Sequence, residues 1–340
     1  MSLQSLFNHW GAKEYSDICY DKLSHLEKRI VFLSDEESNS LLYELNLISH
    51  DKASQSNIKK WDIGWGQNLS MLSGGYDPRI ALTPCYFGKY PGGRIMGRFY
   101  YDKLTTNYND LLKKIRSPEY NITQEIRYKS LENELYRAML EQLIFKRILK
   151  YCKRKNLAKV KIIDLGAGSC HNIIHLSQFL IANNIEPKIY ASDWSASTRL
   201  IVESLNKQKF INDATFISVN YFDSNTFANI ASIKPDILYS VASLEQFPGN
   251  PDQLLSAILD AGTKLCIHIE PIKESLSQDD TNDMQSINYM NRRNYLNNII
   301  GAMLTIDMAC KYSLSTSIYR TGLGSIFLDG YTQLSYERND

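Results

Sequence analysis

No run of apolar residues in this chain approaches the length needed to cross a bilayer, and the longest, such as the one around Ile162 and Ile163, is interrupted within a few residues. Asn8, His9, Lys13, Glu14 and Asp17 deny the amino-terminal stretch the apolar centre of a secretory signal. Cysteine is sparse and scattered: Cys19, Cys85, Cys152, Cys170, Cys266 and Cys310 form no Cys-x-x-Cys pair and have no histidine at zinc-finger spacing. These absences lead to an expectation of a cytoplasmic protein with free thiols, no metal and no membrane partner. A formal charge of +1 provides no field to draw the chain onto nucleic acid, and the basic stretch Lys146 to Lys161 reads as a solvated helix end. There is no internal repeat and no low-complexity tract.

What is present is an ordinary globular composition, 44% hydrophobic and 22% charged over 340 residues, enough for a large domain with an appendage. Residues 1 to about 50 carry helical patterning, with Leu23, Leu26, Ile30 and Leu33 on one face, followed by Leu41, Leu42, Leu45 and Leu47. Trp61 to Tyr101 is dense in glycine, proline and aromatics and reads as loop-rich. Thr123 is a candidate helix cap for one long amphipathic pattern that runs to Lys155. A boundary near 122 therefore divides a mainly helical cap, 1–122, from a second domain, 123–340.

The second domain alternates short apolar runs with helical segments, the pattern of a mainly parallel sheet covered on both faces. The predicted strands are Val160 to Leu165, Lys188 to Ser192, Thr215 to Val219, Asp236 to Val241 and Lys264 to Ile269. Leu314 to Tyr319 and Tyr331 to Tyr336 then form an expected closing hairpin.

The strongest chemical signal is Asp164-Leu165-Gly166-Ala167-Gly168-Ser169, an apolar strand entering an acidic residue and a Gly-x-Gly turn before a helix. The glycines allow a ligand close to the backbone. Dinucleotide-binding folds use a similar turn, but their third glycine position is His171 here, and Asp164 would repel a pyrophosphate. An acidic residue in that place suits a ligand with a cationic amino-acid end.

In these residues the segment resembles the class I methyltransferases, whose first motif is an acidic residue followed by x-Gly-x-Gly after strand one. The resemblance implies a Rossmann-like α/β sheet of five parallel strands plus the antiparallel hairpin, and S-adenosylmethionine as cofactor. It implies that Asp164, Gly166, Ala167 and Gly168 cradle the cofactor and that Asp193 holds the ribose hydroxyls; Asp193 also reads as a helix cap, and Trp194 equally as an adenine-stacking ring or a core or surface aromatic. Asn220, Tyr221 and Asp223 after strand three would contact the adenine, which of the two polar side chains does so being open. Ser240 begins the loop Ser240 to Gln246, which would face the methyl group, and His268-Ile269-Glu270-Pro271 leaves strand five on the same rim. Glu270, His268 and Glu245 are the candidate catalytic groups. His268, inside an apolar strand, equally reads as a satisfied core histidine.

Trp61 to Asn68 and Tyr86 to Tyr90 mix aromatic faces with amides and cations, as polar-ring ligands require, and nominate Trp65, Gln67, Asn68, Tyr90 and Arg98 for substrate binding. With Ser-Leu-Glu-Gln and His-Ile-Glu-Pro-Ile, this segment is similar to sugar methyltransferases of bacterial surface-polysaccharide pathways. The expected substrate is accordingly a small polar acceptor, a sugar hydroxyl first, with a nitrogen or carboxyl acceptor or a non-catalytic cofactor-binding protein as rivals. A homodimer is compatible with all of these.

Overall fold

The computed structural model describes residues 57–75, 77–79, 139–305, 308–318 and 331–339. It also describes the short pieces 30–32, 95–96 and 99–101 and residues 34, 36, 37, 40, 43 and 137. Strands β1 (Ile30–Phe32), β2 (Ile95–Met96) and β3 (Phe99–Tyr101) form a small antiparallel sheet in the order β1-β3-β2. Ile30 was expected on a helical face. The run Ile30-Val31-Phe32 is β-branched and aromatic, and pairing with Phe99 to Tyr101 outweighs the weak helical period around it.

The loop expected from Trp61 onward is also corrected. Helix α1 spans Asn57–Ser73. Gly64 and Gly66 obscured it, yet Trp61, Trp65, Leu69 and Leu72 recur at helical spacing. A methyl group on Gly66 would lie 3.4 Å from Ser197 Oγ, so this face of α1 packs directly on the helix behind it. Tertiary packing thus offsets the helix-weakening effect of glycine. Of the long helix expected from Thr123, the described part begins near Met139, runs through a π-helical stretch at Glu141–Phe145 and continues as α2 (Lys146–Arg154).

From there strands and helices alternate as expected: β4 (Lys159–Leu165), α3 (His171–Ala182), β5 (Glu186–Asp193), α4 (Ala196–Lys207), β6 (Thr215–Ser218), α5 (Ala228–Ile233), β7 (Ile237–Val241), α6 (Asp252–Asp260) and β8 (Leu265–Glu270). Helices α7 (Thr281–Arg293), α8 (Ile299–Thr305) and α9 (Met308–Lys311) precede the hairpin β9 (Tyr312–Ile318) and β10 (Thr332–Arg338). The seven strands lie in the order β6-β5-β4-β7-β8-β10-β9; β4 to β8 are parallel, and β10 runs antiparallel to both β8 and β9. This is the Rossmann-like sheet of class I methyltransferases, with helices on both faces.

Two apolar clusters hold the layers together. One joins Ile163, Leu165, Leu238, Ile258 and Leu334; the other joins Ile174, Ile189, Ala191, Ile201 and Leu205, with Leu72 of α1 built into it. The chain turns outward from β4 through β5 and β6, then returns to place β7 on the other side of β4. That reversal opens a crevice at the carboxyl ends of β4, β5 and β7, where open sheets bind ligands. Among the described residues no helix is long and apolar enough to cross a membrane, and no group of side chains is arranged to hold a metal.

Candidate active site

Strand β4 is buried along its apolar half and carries Asp164, 1% exposed, near its carboxyl end, two residues before the first glycine of the turn. Among the described residues Asp164 Oδ2 has no hydrogen-bond partner. Burial raises its carboxyl to about pH 7, and nearby Asp193 adds to the rise while the Tyr239 hydroxyl opposes it. The following turn is held by backbone donors: Gly166 N and Ala167 N each donate to Ser192 O at 2.8 Å, and Gly168 N donates to Asp193 Oδ2 at 2.9 Å. Gly166 and Gly168 have φ of +83° and +51°, conformations that side-chain-bearing residues rarely adopt.

Neither glycine faces open space. A Cβ on Gly166 would overlap the Ser243 side chain, and one on Gly168 would lie 2.6 Å from the Trp65 ring. The space a side chain would take at the turn is therefore filled by a loop from β7 and an indole from α1, and Gly166 alone of the two glycines borders the pocket described below.

Asp193 ends β5 and is tied on both oxygens: Oδ1 accepts from Ser195 N at 2.9 Å, and Oδ2 from Gly168. Burial raises its carboxyl to about 6, against the backbone N–H groups of Ser195, Gly168 and Trp194. Ser195 then caps α4 by accepting from Thr198 N, and its hydroxyl donates to Asp62 of α1 at 2.6 Å. Asp62 Oδ1 also accepts from Ser197 N at 2.8 Å, so α1 is hydrogen-bonded to the first turn of α4. That tie brings Trp61 and Trp65, stacked with ring centroids 5.7 Å apart, over the crevice.

The resulting pocket is open to solvent and holds a cavity of about 50 Å³ between Trp61 and Trp65 on the α1 side, Gly166 and Asp193 at the turn, and Trp194, Val219 and Tyr221 beyond. Ala242, Ser243 and Gln246 close it from the loop after β7. Trp194 stacks on Phe222 and meets Tyr221 edge-on, forming an aromatic wall. Tyr221 Oη lies 3.2 Å from Ser243 Oγ, which in turn donates to Leu165 O at 2.5 Å.

Of the residues named from sequence, Gly166, Asp193, Trp194, Tyr221 and Trp65 line this pocket; Asp164, Ala167 and Gly168 lie beside it, before and within the turn, and do not line it. Asn220 and Asp223 do not. Asn220 Oδ1 accepts from Phe222 N and Asp223 Oδ1 from Asn225 N, which holds the turn after β6 in shape. Ser240 and His268 are sealed in the sheet: His268 Nδ1 lies 2.9 Å from Ser240 Oγ and Nε2 2.8 Å from Tyr336 Oη, and burial lowers its pKa to about 4. Glu270 is wholly buried behind the loop that carries Ser243, with its carboxylate on the backbone of Ser243 and Glu245. Glu245 is buried beside Gln246, whose amide nitrogen donates to it at 3.1 Å. Gln67 faces outward on α1 and Asn68 inward, while Tyr90 and Arg98 lie outside the described residues.

Sequence reasoning placed the loop Ser240 to Gln246 and the segment Trp61 to Asn68 at the site without singling out Trp61, Ala242, Ser243 or Gln246, and it left Val219 out. For Trp61 a signal existed, its spacing of four from Trp65. Ala242 has φ of +52°, a backbone turn that no motif announces, and it swings Ser243 and Gln246 toward the glycines.

No family model matches this chain. No curated protein matches it either. Solved structures are similar in fold. A SAM-dependent methyltransferase from Aquifex aeolicus is similar over 59% of this chain and 92% of its own, at 14% identity and a TM-score of 0.36. The CMeT domain of the citrinin polyketide synthase is similar over 98% of this chain and 96% of its own, at 12% identity and a TM-score of 0.47. Likeness at this level concerns the fold alone, and the chemistry has to be read from the pocket.

Proposed function

We propose that this chain is a methyltransferase that draws its methyl group from S-adenosylmethionine and passes it to a hydroxyl of a small polar acceptor, a sugar first among these. The observation that carries the reading is Asp164. A carboxylate oxygen shut away from water without a partner is costly, and a cationic group bound at the crevice would relieve that cost. An ammonium group fits such a site and a pyrophosphate does not, since Asp164 and Asp193 would both repel it.

The other residues agree with the same cofactor. Asp193 offers carboxylate oxygens for ribose hydroxyls, and Trp194, Val219 and Tyr221 supply the flat apolar wall that suits a purine. Bound there, S-adenosylmethionine would supply a methyl group on a sulfonium, ready for in-line transfer. The chain's own part is to align the acceptor, exclude water and take the hydroxyl proton. Trp61 and Trp65 cover the pocket, and Glu245 is the carboxylate assigned to the proton. Glu270 serves by shaping the loop that bears Ser243 and Gln246.

The test is a comparison of small-molecule extracts treated with isotopically labelled methyl donor, with and without the protein. Label appearing in a hydroxyl-derived methyl ether supports the reading. Label in a methylated amine or carboxyl group, or no transfer by a protein that binds the cofactor, removes the hydroxyl acceptor.

A further inference from the structure

Resting on the methyl-transfer reading above, we infer that Gln246 is the residue that selects the acceptor, by accepting a hydrogen bond through Oε1 from a neutral hydroxyl. Gln246 lines the pocket on the side away from α1 and is itself 5% exposed. Its orientation is set by its neighbours. Nε2 donates to Glu245 Oε1 at 3.1 Å and to Tyr295 Oη at 3.2 Å. A carboxylate accepts and does not donate, so the amide nitrogen has to face Glu245 and the carbonyl oxygen has to face away.

Among the described residues, that oxygen has no partner. The amide is thus half satisfied, and what it lacks is a donor. A ligand group that only accepts, such as an ether oxygen, a ketone or a carboxylate, leaves Oε1 as it is. A hydroxyl or an amine completes it.

Charge separates these two donors. The Arg293 guanidinium lies 5.3 Å from the Tyr295 ring centroid and 5.9 Å from that of Tyr289, within electrostatic reach of Glu245. Tyr289 Oη and Tyr295 Oη lie 3.5 Å apart and continue the chain of polar groups from Gln246. Arg293 thus sets a cation behind the tyrosine that Gln246 contacts, which opposes an incoming ammonium ion and leaves a neutral hydroxyl unaffected. The loop is fastened to this cluster, since Leu296 N donates to Glu245 O at 3.2 Å.

Cofactor analogues test this without knowledge of the natural acceptor. A series of S-adenosylhomocysteine mimics with nitrogen in place of sulfur would carry an arm of two to four carbons toward the acceptor side, ending in methyl, hydroxyl or ammonium. Affinities measured by calorimetry should favour a hydroxyl arm over its methyl counterpart by about threefold to tenfold, the scale of one neutral hydrogen bond. The ammonium arm should gain nothing. In Gln246→Leu, the ratio of hydroxyl-arm to methyl-arm affinity should fall to about one, whatever the affinity for S-adenosylhomocysteine itself; Gln246→Met serves if the leucine variant does not fold. A wild type that ranks the arms equally, or a preference that survives in the variant, overturns the role of Gln246. If S-adenosylhomocysteine itself does not bind, the cofactor reading falls, an outcome the arm comparison cannot mimic.

Discussion

The Ser243 backbone N–H points between the two carboxylate oxygens of Glu270, at 3.1 and 3.0 Å, so a glutamate on β8 fixes a loop that begins on β7. The Glu245 N–H adds a third contact at 3.3 Å. Burial raises the Glu270 carboxyl to about 8, with Glu245 pushing the same way and the Ser243 N–H opposing. In the unfolded chain the same group has its ordinary value of 4.5. Between these two values the folded state holds a proton that the unfolded state releases, so the contribution of Glu270 to stability is full below pH 4.5 and is lost as pH rises toward 8. Glu270→Gln should therefore gain stability relative to the wild type as pH rises from 5 to 8. Urea titrations at several pH values measure the difference, and a constant offset would contradict it.

Gly166→Ala places a methyl group against Ser243 at a φ of +83°. Backbone strain and overlap together should cost about 2–4 kcal/mol. Denaturant unfolding measures this, and a loss under about 0.5 kcal/mol would mean that the Ser243 loop yields.

The sheet was legible because its strands are short apolar runs between helical patterns, a signal that depends on local periodicity. Asp164, Gly166, Gly168 and Asp193 were legible because they sit at strand ends, where position in the chain fixes position in the crevice. Gln246 and Ser243 were legible only as members of the loop after β7, because their individual placement depends on the left-handed Ala242 and on Glu270 from another strand. Helix α1 was missed because Gly64 and Gly66 read as breakers, while the packing of Gly66 beside Ser197 is a contact between distant segments. The polar character of Asn220 and Asp223 suggested ligand contacts, whereas the turn after β6 uses both for its own backbone.

Asp193→Ala should weaken S-adenosylhomocysteine binding by about 1–3 kcal/mol through loss of charge-assisted hydrogen bonds. The same variant frees Gly168 N and Ser195 N, so its unfolding midpoint should fall as well. Asp193→Asn keeps one acceptor and should fall between the two. Equal affinity in all three proteins would remove Asp193 from the cofactor site.

Asp62→Ala cuts two hydrogen bonds that join α1 to α4, those from Ser195 Oγ and Ser197 N. A stability loss of about 1–2 kcal/mol is expected. Trp61 and Trp65 should shift with the helix, giving a change in tryptophan emission of the folded protein. An unchanged spectrum would show that apolar packing alone sets the position of α1.

The most direct measurement is a calorimetric titration of S-adenosylhomocysteine into the wild type and Asp164→Asn between pH 6 and 8. A cationic amino group next to Asp164 favours the ionised carboxylate, so binding should lower its pKa and release a proton. Affinity in the wild type should rise as pH passes through about 7, the value to which burial brings Asp164, and the asparagine variant should bind more weakly and lose that rise. Failure of the wild type to bind, or the same pH profile in both proteins, would contradict the assignment of Asp164 to the cationic end of the cofactor.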